Sequence, residues 1–298
     1  MKQIVFNLFV DEKIANSLKS IADCEIGNVM LRQFPDEETY IKIESNVKDC
    51  DVILLASLDR PNKKLLPLLF IAETVKYLGA KHVGLIAPYL PYMRQDKQFH
   101  PGEGITSKYF AALLSHYFDW LITVDPHLHR RRSLHEIYTM STEVLHAADK
   151  LSTWIKENVS DPIVVGPDKE SEQWVMKVAN KAGAPFTVLE KIRRDDNEVE
   201  ISIPHMEQYK NHTPVLVDDI ISTARTMIET VKHLKNAKMK LPVCMGIHAI
   251  FSGNAYQDLL NAGVEKIITC NTVQHASNEI DLSEDIAQSV IKLRGEFL

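Results

Sequence analysis

The sequence predicts an α/β protein built as two domains, each a mainly parallel sheet flanked by helices. Apolar strand-like runs alternate with segments of helical period through the first half, and the second half repeats that scheme. At 298 residues the chain is long enough for two domains that each bury a core. The halves, taken as 1–145 and 146–298 with the division near 142–147, suggest a duplication, although their residues do not match well enough to prove one. The last helix is free to pack back on the first domain.

Local pattern justifies each element. Residues 4–9 read as a first strand, and 12–22 as a helix with Ile14, Leu18 and Ile21 on one face. Two extended segments, 25–34 and 39–44, flank the polar turn Pro35-Asp36-Glu37-Glu38. Residues 51–57 form a strand, and Pro61 opens a helix that Gly79 ends. Strand 82–88 precedes a long loop to Thr106, then helix 107–118 and strand 120–124. In the second half, helix 147–158 leads to strand 162–165, which runs into Gly166-Pro167-Asp168. The following helix, to 181, is stopped by Gly183 and Pro185, and 186–189 is the next strand. Extended runs 199–203 and 215–219, helix 226–234, strand 242–251, helix 255–261, strand 266–269 and helix 283–293 complete the chain.

Hydrophobic residues make up 45% of the chain and charged residues 25%, values of a globular protein without a large disordered fraction. A net charge of −6 argues against nucleic acid or an anionic membrane as the main partner. No uncharged apolar run approaches a membrane span, and the chain opens on a strand pattern with no signal peptide. Cys24, Cys50, Cys244 and Cys270 lie scattered in apolar runs without metal-ligand spacing, which suits reduced thiols in a cytoplasmic protein.

Ligands of open parallel sheets gather at the carboxyl ends of the strands. Acids and histidine follow the strands here: Asp125-Pro126-His127, Asp168 and Asp218-Asp219, with Asn271-Thr272 further on. The most loaded stretch is 214–227. An apolar strand ends there in Asp218 and Asp219, and Ser222 and Thr223 are N-cap candidates for the next helix. Strand, polar turn and helix start aim backbone N–H groups at one spot, which favours a phosphate. The paired carboxylates accept hydrogen bonds, from ribose hydroxyls or a metal-bound water. A plain Asp-Asp turn that caps a helix is the alternative.

Val217-Asp218-Asp219-Ile220-Ile221-Ser222-Thr223-Ala224-Arg225-Thr226 resembles the phosphoribosyl diphosphate (PRPP) binding motif of type I phosphoribosyltransferases and PRPP synthetases. The resemblance implies two type I phosphoribosyltransferase-like domains. It also implies a ribose 5-phosphate site made by Asp218, Asp219, Ser222, Thr223, Ala224 and Thr226. Arg225 stands where that family has Gly, so its side chain either crowds the phosphate or adds positive charge to it.

Further segments narrow the resemblance to PRPP synthetases. Arg94-Gln95-Asp96-Lys97 sits in a loop too long for a plain connector. By composition it is a solvated loop, but it is similar to the family's ATP-binding segment, which implies Arg94, Gln95 and Asp96 at the nucleotide. Phe34, Asp36 and Glu38, otherwise a hairpin turn, are similar to a turn that reaches a neighbouring subunit's adenine. That implies a homodimer or larger. Val124-Asp125-Pro126-His127 resembles the family segment whose His lies near Mg²⁺, implying His127 and Asp168 as metal residues; His129 lies outside the motif. Lys191-Ile192-Arg193, followed by Asn197-Glu198-Val199-Glu200, resembles the catalytic flexible loop, implying Lys191 and Arg193 as the cations that close on the transferring phosphates.

The resemblance thus implies transfer of the diphosphoryl group of ATP to the 1-hydroxyl of ribose 5-phosphate, giving PRPP and AMP, with Mg²⁺. Lys169-Glu170-Ser171-Glu172 replaces the family's Gly-Gly after Pro167-Asp168. Together with Arg225 it keeps open a non-catalytic regulatory paralogue. A phosphoribosyltransferase is the other alternative, and the Phe34 turn and Arg94 loop speak against it. Arg130-Arg131-Arg132 is expected to open a helical stretch, as a solvated basic turn or beside an anion.

Overall fold

The computed structural model describes residues 2–195, 198–202 and 206–297, with side chains outside 170, 190–206 and 295–297. The chain forms two compact units, Met1–Leu145 with Leu282–Leu298, and His146–Asp281.

The first unit contains β1 (Gln3–Asn7), α1 (Glu12–Ile21), β2 (Glu25–Ile26), β3 (Val29–Gln33), β4 (Thr39–Ile43) and β5 (Asp51–Leu55). It continues through α2 (Pro61–Tyr77), β6 (His82–Ala87), α3 (Thr106–Tyr117), β7 (Trp120–Val124) and β8 (Ser141–Leu145). Its main sheet has the order β2-β1-β5-β6-β7-β8, with every neighbouring pair parallel. β5, β6 and β7 are buried almost throughout, as strands covered on both faces must be. Their core joins Leu54, Leu85 and Leu121 to Leu68, Ile71 and Phe110 of the helices.

Residues 25–34 do not form one extended segment. β2 adds to the main sheet, whereas β3 and β4 make a separate antiparallel hairpin. Gly27 marks the departure. Its N–H still reaches Val5 O at 2.8 Å, while a Cβ there would lie 2.5 Å from the Phe6 ring, so only glycine fits as the chain leaves the sheet. β8, read from sequence as the boundary between domains, is the edge strand of this sheet.

The second unit contains α4 (Ala148–Asn158), β9 (Pro162–Gly166), α5 (Glu172–Ala182), β10 (Phe186–Val188), β11 (Glu190–Asp195) and β12 (Glu198–Ser202). β13 (Thr213–Ile221), α6 (Arg225–Asn236), β14 (Val243–Ala249), α7 (Ala255–Asn261), β15 (Lys266–Cys270) and β16 (Asn278–Ile280) follow. Its sheet is also parallel, in the order β10-β9-β13-β14-β15-β16. Counted along the chain, both sheets place their second strand first, then the first, third, fourth, fifth and sixth. Both also insert an antiparallel hairpin between the second and third strands, β3–β4 and β11–β12. One topological plan is therefore used twice.

The last helix, α8 (Ser283–Phe297), belongs to the first unit, where it packs on α1 and β8. Lys292 Nζ reaches Glu143 Oε1 at 2.7 Å there, an exposed pair worth little beside the apolar contact. Among the described residues, no helix is long and apolar enough to cross a membrane.

Gly84 and Trp120 are direct partners on β6 and β7, and a Cβ on Gly84 would lie 2.0 Å from the indole. Gly84→Ala is therefore expected to destabilise the fold by about 1–3 kcal/mol through overpacking. An unchanged denaturation midpoint would contradict this packing.

Candidate active site

In the second sheet the chain order reverses between β9 and β13, the crevice where doubly wound sheets bind ligands. Asp168 follows β9 after Pro167, as the cap of the next turn. Asp218 and Asp219 lie within β13, not beyond its end, because the strand pairs with β14 as far as Ile221 and Ala249. The sequence ended this strand at 219, since ladder pairing with a neighbour has no local signature. Asp218 is desolvated, and that burial is the largest cause holding its carboxyl well above the ordinary range. The charge of Asp219 and a hydrogen bond with it raise it further, and Asp168 adds a smaller repulsion. The Asp219 N–H, 2.9 Å from Asp218 Oδ1, only partly offsets them. One oxygen of Asp168 is occupied as a helical cap, accepting from Ser171 N at 3.0 Å. Lys169–Ser171, in place of the Gly-Gly, form a single 3-10 turn leading into α5.

The turn from β13 to α6 supplies the second half of this site. Neither Ser222 nor Thr223 is the N-cap of α6. Ala224 takes that place with φ 56°, and no side chain caps the helix. The first turn of α6 carries no acid, so its N–H groups and dipole face outward unopposed by one. Arg225 is the first helical residue and is exposed, and the left-handed conformation falls on Ala224. Its backbone therefore needs no glycine, and its charge sits at the mouth of the turn. Thr226 and Met227 line a small cleft with Gly166, Pro167, Leu189 and Leu216.

In the first unit, Arg94 and Gln95 lie on the long loop between β6 and α3. Arg94 is exposed. Gln95 Oε1 accepts from Thr106 Oγ1 at 2.7 Å, which fixes the loop to the start of α3. Glu103 closes the loop on itself, accepting from Phe99 N at 2.8 Å and His100 N at 3.0 Å. The carboxylate of Asp96, expected at the nucleotide, is only 2% exposed and faces Arg130 Nη1 at 3.3 Å. Arg131 Nη2 donates to Asp96 O and Ser107 Oγ, both at 3.2 Å. Asp96 thus braces the loop from inside through Oδ1 and its backbone carbonyl, while its Oδ2 is buried without a hydrogen-bond partner. The same bonds correct the reading of Arg130-Arg131-Arg132 as a solvated helix start, because only Leu134–Glu136 make a 3-10 turn and two of the arginines serve the Asp96 loop.

His127 follows β7, with its ring stacked on His129 at 3.7 Å between centroids. Phe34 lies at the base of the β3–β4 tip, where Phe34 N donates to Glu38 O at 2.8 Å and Asp36 Oδ1 accepts weakly from Glu38 N at 3.4 Å. The Phe34 ring is 39% exposed, and the Arg32 guanidinium lies over it and over Tyr40. Lys191 and Arg193 belong to β11, whose backbone pairs them with Ile201 and Val199 of β12; their side chains lie outside the described residues. In the first unit, the loop after β5, which corresponds in topology to the turn after β13, is tied to α2. There Lys64 Nζ donates to Ser57 O at 2.9 Å and pairs with the buried Asp59.

Two parallel sheets of one plan, each flanked by helices, with a phosphate-type turn after an acidic strand, define a protein of the phosphoribosyltransferase-like class. Comparison with known proteins agrees. The family model for the N-terminal domain of ribose phosphate pyrophosphokinase matches residues 3–117, and that for the phosphoribosyl transferase domain matches 136–285. A ribose-phosphate pyrophosphokinase of Saccharolobus solfataricus is 32% identical over 280 residues, covering 93% of this chain and 95% of the relative. One from Methanopyrus kandleri is 31% identical, covering 95% and 97%. The crystal structure of phosphoribosylpyrophosphate synthetase from Mycobacterium smegmatis shares the fold, with a TM-score of 0.86 at 23% identity over 99% of this chain and 100% of that one. The chain belongs to the ribose-phosphate pyrophosphokinase family.

Because the folded protein raises the Asp218 pKa, its ionisation opposes folding, so this stability contribution is full below the unfolded carboxylate value and is lost as pH rises through the folded one. Asp218→Asn is expected to be more stable than the wild type at pH 7 and equal to it near pH 3; a less stable variant at pH 7 would contradict the crowding. Asp96→Ala should cost on the order of 1–3 kcal/mol in a chemical melt, the range for hydrogen bonds to charged groups. A midpoint no lower than that of Lys97→Ala, on the exposed side of the loop, would refute the buried role.

Proposed function

We infer that the chain is an ATP-dependent ribose-phosphate pyrophosphokinase. It moves the diphosphoryl group of ATP to the 1-hydroxyl of ribose 5-phosphate and releases PRPP and AMP. The observation that carries this reading is the crevice at Asp168, Asp218 and Asp219, set against the uncapped start of α6. Acceptor-only carboxylates suit the sugar hydroxyls, and the Ser222–Thr226 turn suits the 5-phosphate. A sugar phosphate combines both chemistries in one small ligand.

Asp218 and Asp219 hold the ribose, while Ser222, Thr223, Ala224 and Thr226 surround its phosphate. Arg225, exposed beside them, adds attraction for that anion. Arg94 and Gln95 take the nucleotide, with Asp96 fixing their loop, and Asp36 and Glu38 stand at the Phe34 tip. The half-exposed Phe34 ring on a hairpin suits an adenine of a neighbouring copy, so the working form is a homo-oligomer. An oxygen-rich acidic crevice fits a hard divalent cation, and Mg²⁺ is the ion proposed, with Asp168 and His127 as the candidate metal residues. When bound it supplies positive charge against the phosphate oxygens. Lys191 and Arg193, on the β11–β12 hairpin, neutralise charge that grows on the transferring group. No strong base is needed. Positioning the sugar hydroxyl in line with the departing AMP oxygen does most of the work. Cys24, Cys50, Cys244 and Cys270 are buried thiols, which suits the reducing cytoplasm, where ATP is available.

The test is AMP release from Mg-ATP with and without ribose 5-phosphate. AMP that appears only with the sugar, in step with PRPP, is expected; sugar-independent AMP or none would rule the activity out. In the same assay Lys191→Ala should lower turnover by about 10²–10³-fold, the scale for removing one transition-state contact, with ATP affinity within a few-fold. Near-normal turnover would contradict the assigned role.

A further inference from the structure

The turn that leads from β13 into α6 is not held by its own residues. Its first half is bonded to the loop that follows β14. Ile250 N and Phe251 N both donate to Ile221 O, at 3.1 and 2.9 Å. Ser252 N donates to Ser222 O at 3.0 Å, and the Ser222 and Ser252 hydroxyls lie 3.1 Å apart. Four contacts thus join two loops about thirty residues apart in sequence, immediately before the left-handed Ala224.

The partner loop is itself held in a strained shape. Phe251 has φ 27°, a region that bulky side chains avoid. Its ring is buried against Tyr256, 5.2 Å between centroids at 75°, and His275, 4.6 Å at 33°. The Tyr256 and His275 rings meet each other at 4.7 Å, so three rings from three loops and helices lock the strained residue. Strain persists only where the surroundings over-determine it, and here it delivers two N–H groups to one carbonyl.

We propose that Ser252 is a positioning residue for the sugar-phosphate site, acting through Ser222. This rests on the reading of the Ser222–Thr226 turn as the 5-phosphate site. A turn that binds an anion through backbone N–H groups loses affinity if its geometry fluctuates, and the Ser252 hydroxyl restrains Ser222 from the neighbouring loop. Ser252 is exposed and outside the hydrophobic core, so its truncation leaves the fold intact.

Steady-state kinetics of the full chain, with each substrate varied in turn, tests the proposal. Ser252→Ala is expected to raise the ribose 5-phosphate KM by about three- to ten-fold, the span of one neutral hydrogen bond. Its ATP KM and its kcat should stay within two-fold, roughly the scatter of a surface change. Ser252→Thr, which keeps the hydroxyl, should restore the sugar KM. An unchanged sugar KM in Ser252→Ala, an equal rise for both substrates, or failure of threonine to rescue would each overturn the proposal. Asp219→Asn separates the two levels. A normal sugar KM in that variant would overturn the site and the staple together, whereas a raised KM there with a normal one in Ser252→Ala overturns the staple alone.

Discussion

Confinement of Asp168, Asp218 and Asp219 in one crevice, with Asp218 desolvated there, is the constraint on which the rest of this structure depends. Isolated in water, Asp168, Asp218 and Asp219 would separate; here the sheet forbids it. β13 is hydrogen-bonded to β9 on one side and β14 on the other, so neither Asp218 nor the end of β9 can retreat. The raised pKa of Asp218, caused first by burial and then by the charge of Asp219, is the signature of that confinement. Groups held in mutual opposition by a rigid scaffold mark a place built for something that relieves them, such as a hydroxyl-rich sugar or a divalent cation. The buried apolar strands on either side, Val164 and Val165 in β9 and Cys244 and Met245 in β14, keep the scaffold from relaxing.

One topological plan serves two purposes in this chain. Each unit has a six-stranded parallel sheet of the same order and an antiparallel hairpin in the same place. The uses diverge in the side chains. In the second unit the crevice at the chain reversal gathers acids, while in the first the loop after β5 carries the Lys64–Asp59 pair. The first hairpin carries an exposed aromatic at its tip, and the second carries Lys191 and Arg193. In the first unit the loop after β6 is stiffened from within by Asp96, Arg130 and Arg131. Shared topology with unshared residues is what a duplication leaves when packing, but not chemistry, is retained.

Most of the strand-and-helix plan was legible because it is written in local pattern. β5, β6 and β7 are continuous apolar runs, and α1 shows its buried face as Ile14 and Leu18. What escaped was fixed by partners distant in sequence. The edge strands β8 and β16 are short and half-exposed, so their composition matches a linker. Asp218 and Asp219 fall inside β13 because β14 pairs alongside, and nothing in 213–221 itself says where pairing stops. Ser222 and Thr223 have the composition of caps, yet the left-handed Ala224 displaces them. Asp96 is turned inward by arginines 34 and 35 positions away, a contact no local motif shows. The link from Ser252 to Ser222 had no signal in the sequence, since serine after a strand is ordinary turn composition.

The central claim is that the acids of this crevice read the hydroxyls of a ribose whose phosphate sits on the neighbouring turn. Calorimetric binding of ribose 5-phosphate and 2-deoxyribose 5-phosphate, to the wild type and to Asp219→Asn, addresses it most directly. The account predicts that the wild type binds the 2-deoxy sugar about ten-fold more weakly, as for a lost hydrogen bond to a charged group, and that the variant loses the preference. Equal binding of the two sugars by the wild type, or a preference undiminished in the variant, would contradict it.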